Sequence, residues 1–232
     1  MDYTFRIKRY DPDVDVKPHF EEYTVDLEPT DRVLDGLNEI KWKLDGTLTY
    51  RRSCAHGVCG SDAMRINGRN YLACKALMKE FGKKLTIEPL MGYAIIKDLV
   101  IDMDPFFAAY ESVKPYLIAS DPPASEERRQ TPEQLDRYEE ATKCILCAAC
   151  TTACPISWTN ESFVGPAAIV NAARFIYDSR DEGAAERLRI LNAQSGVWRC
   201  RTIFHCTEVC PRDIKVTNII EDVKRTLLLE QV

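Results

Sequence analysis

Ten cysteines fall into three groups along the 232 residues, and the spacing within each group carries the chemical information. The first group reads Cys54-Ala-His-Gly-Val-Cys59-Gly-Ser-Asp62, with Cys74 further on. A C-x4-C-x2-C frame with a distant fourth cysteine is a spacing that encloses a two-iron cluster. Here Asp62 stands at the third position. A carboxylate carries the formal charge of a thiolate and bonds ferric iron through oxygen. Cys54, Cys59, Asp62 and Cys74 are therefore the expected ligands of a [2Fe-2S] core; the alternative for Asp62 is a solvated loop aspartate. Gly57 and Gly60 suit such a loop, because glycine accepts positive φ and close backbone approach. Structural zinc usually shows two close C-x2-C pairs, which this group lacks.

The second group, Cys144-Ile-Leu-Cys147-Ala-Ala-Cys150-Thr-Thr-Ala-Cys154-Pro155, has the C-x2-C-x2-C-x3-C-P frame of four-iron sites. In two-cluster proteins the fourth cysteine of such a run ligates the other cluster, so a partner run is required. It is present as Cys200-Arg-Thr-Ile203-Phe-His-Cys206-Thr-Glu-Val-Cys210-Pro211, with Ile203 at the middle cysteine position. Crossing the runs assigns Cys144, Cys147, Cys150 and Cys210 to a [4Fe-4S] core. Cys154, Cys200 and Cys206 remain for the other, and because Ile203 cannot bind iron, a [3Fe-4S] core is expected there. Every cysteine is then used. A zinc or disulfide reading explains neither the crossed frame nor Ile203.

The elements that must hold these groups divide the chain in two. Residues 1–104 read as α+β. Tyr3, Phe5 and Ile7 alternate, as do Tyr23, Val25 and Leu27, which predicts two half-buried strands. Val33, Leu34, Leu37, Ile40 and Leu44 recur at helical spacing, with Thr30 or Asp31 as cap. Asn67-Gly68 marks a two-residue hairpin turn, and 85–88 and 99–101 supply further strands. Strands with one crossing helix fit a β-grasp arrangement carrying the first cysteine loop. Residues 105–232 read as an all-α domain. They begin with an exposed Pro- and charge-rich connection over 120–130, followed by a capping box at Thr131-Pro132-Glu133-Gln134. Helices are expected over 166–179, 184–191 and 217–229.

A net charge of −5 argues against nucleic acid as a partner. Ten cysteines without a visible secretory signal point to a reducing compartment. No stretch approaches the roughly 18 apolar residues that span a bilayer, so membrane attachment is expected to come through partners.

A two-iron cluster domain followed by a two-cluster domain with these spacings resembles the iron–sulfur subunits of succinate dehydrogenase and fumarate reductase. Arg51-Arg52-Ser53-Cys54, Gly165-Pro166-Ala167 and Asp178-Ser179-Arg180-Asp181 add to the resemblance, which covers essentially the whole chain. It implies an electron relay from the FAD of a flavoprotein subunit, through the three clusters in chain order, to quinone beside membrane-anchor subunits. The location it implies is the cytoplasmic face of a bacterial membrane. It also implies quinone-pocket roles for Trp158 and Ile203, although a second tryptophan is replaced by Thr159 and a histidine by Arg201. The succinate-oxidising enzyme is the first expectation, the fumarate-reducing counterpart the second, and a freestanding ferredoxin-like carrier the third.

Overall fold

The computed structural model describes residues 1–119 and 127–229. Tyr3, Phe5 and Ile7 are buried along β1 (Asp2–Arg9), which pairs antiparallel with β2 (His19–Asp26). The helix expected over 30–44 is instead α1 (Val33–Glu39) followed by a π-helical turn over Ile40–Leu44. Its N-cap is Arg32, whose N–H donates to the Asp35 carboxylate at 3.0 Å. Asp31 is engaged elsewhere, its carboxylate accepting from the Glu28 N–H and its carbonyl from the Met78 N–H, both at 2.8 Å. In the π-helical turn the Asp45 N–H reaches back five residues to the Ile40 carbonyl. That extra residue rotates Leu44 off the buried face: Val33, Leu34, Leu37 and Ile40 are buried, whereas Leu44 is exposed.

β3 (Ala63–Ile66) and β4 (Arg69–Leu72) flank Asn67 and Gly68, both at positive φ, as the two-residue turn requires. With β5 (Lys84–Glu88) they complete a five-stranded sheet of order β2-β1-β5-β3-β4, in which β1 and β5 run parallel. β6 (Ile95–Lys97) and β7 (Val100–Ile101) form a separate small ladder. The helix α1 lies tightly on β1, since a Cβ on Gly36 would sit 2.3 Å from the Phe5 ring. Phe5, Ile7, Leu37, Ile40, Ile66 and Leu85 are among the residues of this core.

The chain divides into two units that are not continuous in sequence: Met1–Met103 with Ile145–Ala153, and Asp104–Cys144 with Cys154–Val232. A single boundary near 104 thus differs from the structure over residues 145–153. The physical reason lies in β4. Asn70 is buried there and donates to the Ala149 carbonyl and the Thr152 hydroxyl, each at 2.9 Å, on α5 (Ala149–Ala153). Ile145 and Cys147 also pack against the first core.

Among its described residues the second unit is helical: α2 (Asp104–Ser112), α3 (Pro132–Asp136), α4 (Glu139–Thr142), α6 (Pro155–Thr159), α7 (Gly165–Ile176), α8 (Ala184–Asn192), α9 (His205–Glu208) and α10 (Val216–Leu229). Thr131 and Gln134 form the expected capping box at the start of α3. Most of the expected connection over 120–130 lies outside the described residues. The central element is α7, almost wholly buried and packed by α2, α4, α8 and α10. Arg187 of α8 is fully buried and donates to Asp181 at 2.5 Å and to the Lys114 and Tyr116 carbonyls. Among the described residues no helix is long and apolar enough to cross a membrane.

Candidate iron–sulfur sites

The first cysteine loop is shaped by backbone that ordinary residues rarely adopt. Ala55, Gly57 and Gly60 all have positive φ. This winding turns the N–H groups of His56, Val58 and Cys59 onto the Cys54 sulfur at 3.5, 3.4 and 3.3 Å. Three such donors stabilise a thiolate, and those N–H groups lower the Cys54 pKa to about 6. The Ser61 hydroxyl lies 3.1 Å from the Cys59 sulfur. Asp62 is buried; one carboxylate oxygen accepts the Cys74 N–H at 2.5 Å. Its other oxygen, Oδ1, is buried with no hydrogen-bond partner among the described residues. A carboxylate oxygen rarely stays buried and unsatisfied, so this orphan fits a metal ligand better than a solvated loop aspartate. The Cys74 thiol is pushed up to about 12, first by burial and then by the Asp62 carboxylate. Such crowding of acceptors suits a polycation between them.

The same unit carries part of the second run. Leu146 and Ala148 have positive φ, and α5 follows directly. Gly60 brings the first loop against this segment, since a Cβ on it would stand 2.7 Å from the Cys147 Cβ. Tyr93 is raised to about 12 by burial and by the charge of Cys150.

In the second unit Asn171, a buried polar residue of α7, donates to the Cys144 sulfur at 3.5 Å and to the Ala167 carbonyl at 2.9 Å. The Cys210 thiol is raised, first by burial, with Cys144 among its charged neighbours. Cys206 is raised by burial and lies within electrostatic reach of both Cys154 and Cys200. The Thr202 N–H reaches the Cys200 sulfur and the Thr217 hydroxyl lies by the Cys206 sulfur, each at 3.4 Å.

The two runs also share a backbone fold. Leu146 and Ala148 in one correspond to Thr202 and Phe204 in the other, all at positive φ. The helix after each, α5 or α9, starts at the equivalent residue. Ile203 therefore occupies the place of Cys147 on an equivalent backbone. It is 40% exposed, and Trp158, Trp198 and Phe204, which lie near Cys154, Cys200 and Cys206 in sequence, are similarly open. His19, His56 and His205 are exposed; the His56 ring bonds only locally, to the Cys54 carbonyl at 2.6 Å.

Among the described residues no group of three or more His, Cys, Asp or Glu could hold a single metal ion. A cluster spreads its ligands over several irons, so its donors need not all converge on one point. Thiols not engaged in disulfides, together with the unpartnered Asp62 Oδ1, are the donor types that cluster irons take. Asn70, Asn171 and Thr217 carry no motif signal; a polar residue on the apolar face of α7 was the one available hint.

A model of the 2Fe-2S iron-sulfur cluster binding domain matches residues 4–108, and a model of the 4Fe-4S dicluster domain matches residues 140–214. The succinate dehydrogenase iron-sulfur subunit of Coxiella burnetii is 40% identical over 98% of this chain and 97% of its own. The fumarate reductase iron-sulfur subunit of Haemophilus influenzae is 38% identical over 94% of this chain and 90% of its own. Among solved structures, a chain of the Mycobacterium smegmatis Sdh1 complex in the apo form aligns over 99% of this chain and 96% of its own, with a TM-score of 0.87 and 28% identity.

Proposed function

The chain belongs to the family of iron–sulfur subunits of succinate dehydrogenase and fumarate reductase, the electron-transfer subunits of these oxidoreductases, and on that premise we propose its ligand sets, partners and direction. Cys54, Cys59, Asp62 and Cys74 hold the [2Fe-2S] cluster. Cys144, Cys147, Cys150 and Cys210 hold the [4Fe-4S] cluster, and Cys154, Cys200 and Cys206 the [3Fe-4S] cluster. Bound there, the clusters supply one-electron steps between the FAD of a flavoprotein subunit and a quinone beside membrane-anchor subunits. The chain's own residues shape and tune: N–H and hydroxyl donors around the sulfurs favour the more negative state. The sheet order of the first unit supports reading it as a β-grasp domain. The membrane face is the cytoplasmic one of a bacterial cell.

The observation that carries the quinone end is the exposure of Trp158, Trp198, Ile203 and Phe204, large apolar residues within four positions of Cys154, Cys200 or Cys206 in the sequence. Apolar side chains of this size left exposed suit a lipophilic acceptor or an apolar partner. Succinate oxidation is the preferred direction, with fumarate reduction as the second reading. In the intact complex, Trp158→Ala should lower succinate-driven quinone reduction at least severalfold and leave reduction of a soluble dye that accepts electrons from the flavin unchanged. Equal loss of both activities, or of neither, contradicts a quinone-side role for Trp158.

A further inference from the structure

Among the described residues, two side-chain atoms are buried without a hydrogen-bond partner, Asp62 Oδ1 and Ser157 Oγ. Each lies in a cysteine segment. Asp62 is accounted for as a ligand, whereas Ser157 has no such role. Cys154 is the N-cap of α6 and Ser157 is its third residue, with its N–H on the Cys154 carbonyl at 3.0 Å. Side chains at N-cap and N3 share one side of a helix start, which is what allows a capping box to close. The Ser157 hydroxyl therefore stands on the side of the helix start that carries Cys154. Nor does the hydroxyl bond back along the helix, as Thr159 does to the Pro155 and Ile156 carbonyls at 3.2 and 3.3 Å. An unpaired buried hydroxyl forfeits its hydration without replacement, so a partner beyond the described atoms of the chain is expected. The group next to Cys154 that the chain itself does not supply is the cluster, whose inorganic sulfides accept hydrogen bonds.

We infer that Ser157 donates an O–H···S hydrogen bond to the cluster held by Cys154, Cys200 and Cys206, and that it raises the reduction potential of that cluster. The inference rests on the three-iron reading of this site. Reduction adds negative charge to the core sulfurs, so a donor stabilises the reduced form more than the oxidised form. The Thr202 N–H and the Thr217 hydroxyl act on ligand sulfurs; Ser157 is the hydroxyl left for the core. A quinone oxygen is the other conceivable acceptor, but Ser157 Oγ is buried, and Trp158 is the neighbour that opens to solvent.

The test is redox-titrated EPR of the whole complex carrying Ser157→Ala or Ser157→Thr, with proton couplings measured after exchange into D2O. The expected result is a lower midpoint for the three-iron signal in Ser157→Ala, unchanged midpoints for the two-iron and four-iron signals, and a midpoint near wild type in Ser157→Thr. The wild-type complex should show an exchangeable proton coupled to the three-iron centre that is lost in Ser157→Ala. An unchanged three-iron midpoint, with or without a raised quinone KM, overturns the inference. So does absence of that coupling from the wild type, which needs no variant to assemble. A wild-type complex without any three-iron signal refutes the cluster reading itself, a separate failure.

Discussion

Asp62 and Ile203 are the two residues that depart from a cysteine frame, and they do so with opposite consequences. Asp62 keeps a donor where a cysteine is expected: buried, with one oxygen fixed by the Cys74 N–H and the other unpartnered among the described residues. Asp62→Cys should retain the two-iron EPR signal with a shifted midpoint, while Asp62→Ala should lose that signal and keep the other two. An unaltered two-iron signal in Asp62→Ala would exclude ligation. Ile203 removes a donor while leaving the backbone of the run intact, since Thr202 and Phe204 keep the positive φ of their counterparts. Ile203→Cys should therefore complete the site and replace the three-iron signal with a four-iron one; persistence of the three-iron signal in that variant, with iron content unchanged, would argue that the position does not face the cluster. At this scale the proposed ligands rest on spacing, which is written in the sequence itself. Their supporting donors are not legible there. Asn70 and Asn171 reach their acceptors from distant sequence, and only the fold brings them there.

At the scale of elements, the strands and the Asn67-Gly68 turn were legible from alternation and turn chemistry, whereas the start of α1 was not. Local cap preference favours Thr30 or Asp31, but the contacts of Asp31 with Glu28 and Met78 displace the cap to Arg32. The helices α5, α6 and α9 escaped because four or five residues carry no period. One device joins several elements of the first unit. The buried Arg9 of β1 donates to Asp98 at 3.0 Å, to Glu21 at 2.8 Å, and to Asp45 and Tyr23. Burial raises the Asp45 pKa, but bonds from Thr47, Tyr23 and Arg9 outweigh it and hold the group well below its ordinary value. Glu21 is also lowered, chiefly by the Tyr23 hydroxyl. Carboxylates with depressed native pKa values stabilise the fold above their unfolded values, near pH 4, and lose that contribution as pH falls through the native ones. Arg9→Met should cost about 3–5 kcal/mol at neutral pH, as expected when one side of a buried ion pair is removed. The gap in denaturation midpoint between variant and wild type should narrow below about pH 4. A gap that stays constant with pH would show that Arg9 acts through packing alone.

For the whole molecule, the division between a sheet-bearing and a helical part was legible, since hydrophobic periodicity changes from two to about 3.6 along the chain. The assignment of residues 145–153 to the first unit was not, because it depends on Asn70 and on Gly60, whose lack of a side chain admits Cys147. The central claim is that one chain carries three unlike clusters, the last of them short of one ligand. Redox-titrated EPR on the purified complex, with iron determined per copy of this chain, tests it most directly. The predicted result is about nine irons in this subunit and three signals of separate midpoint, including a three-iron signal visible in the oxidised state. Two four-iron signals beside the two-iron signal, or an iron content near that of one or two clusters, would contradict it.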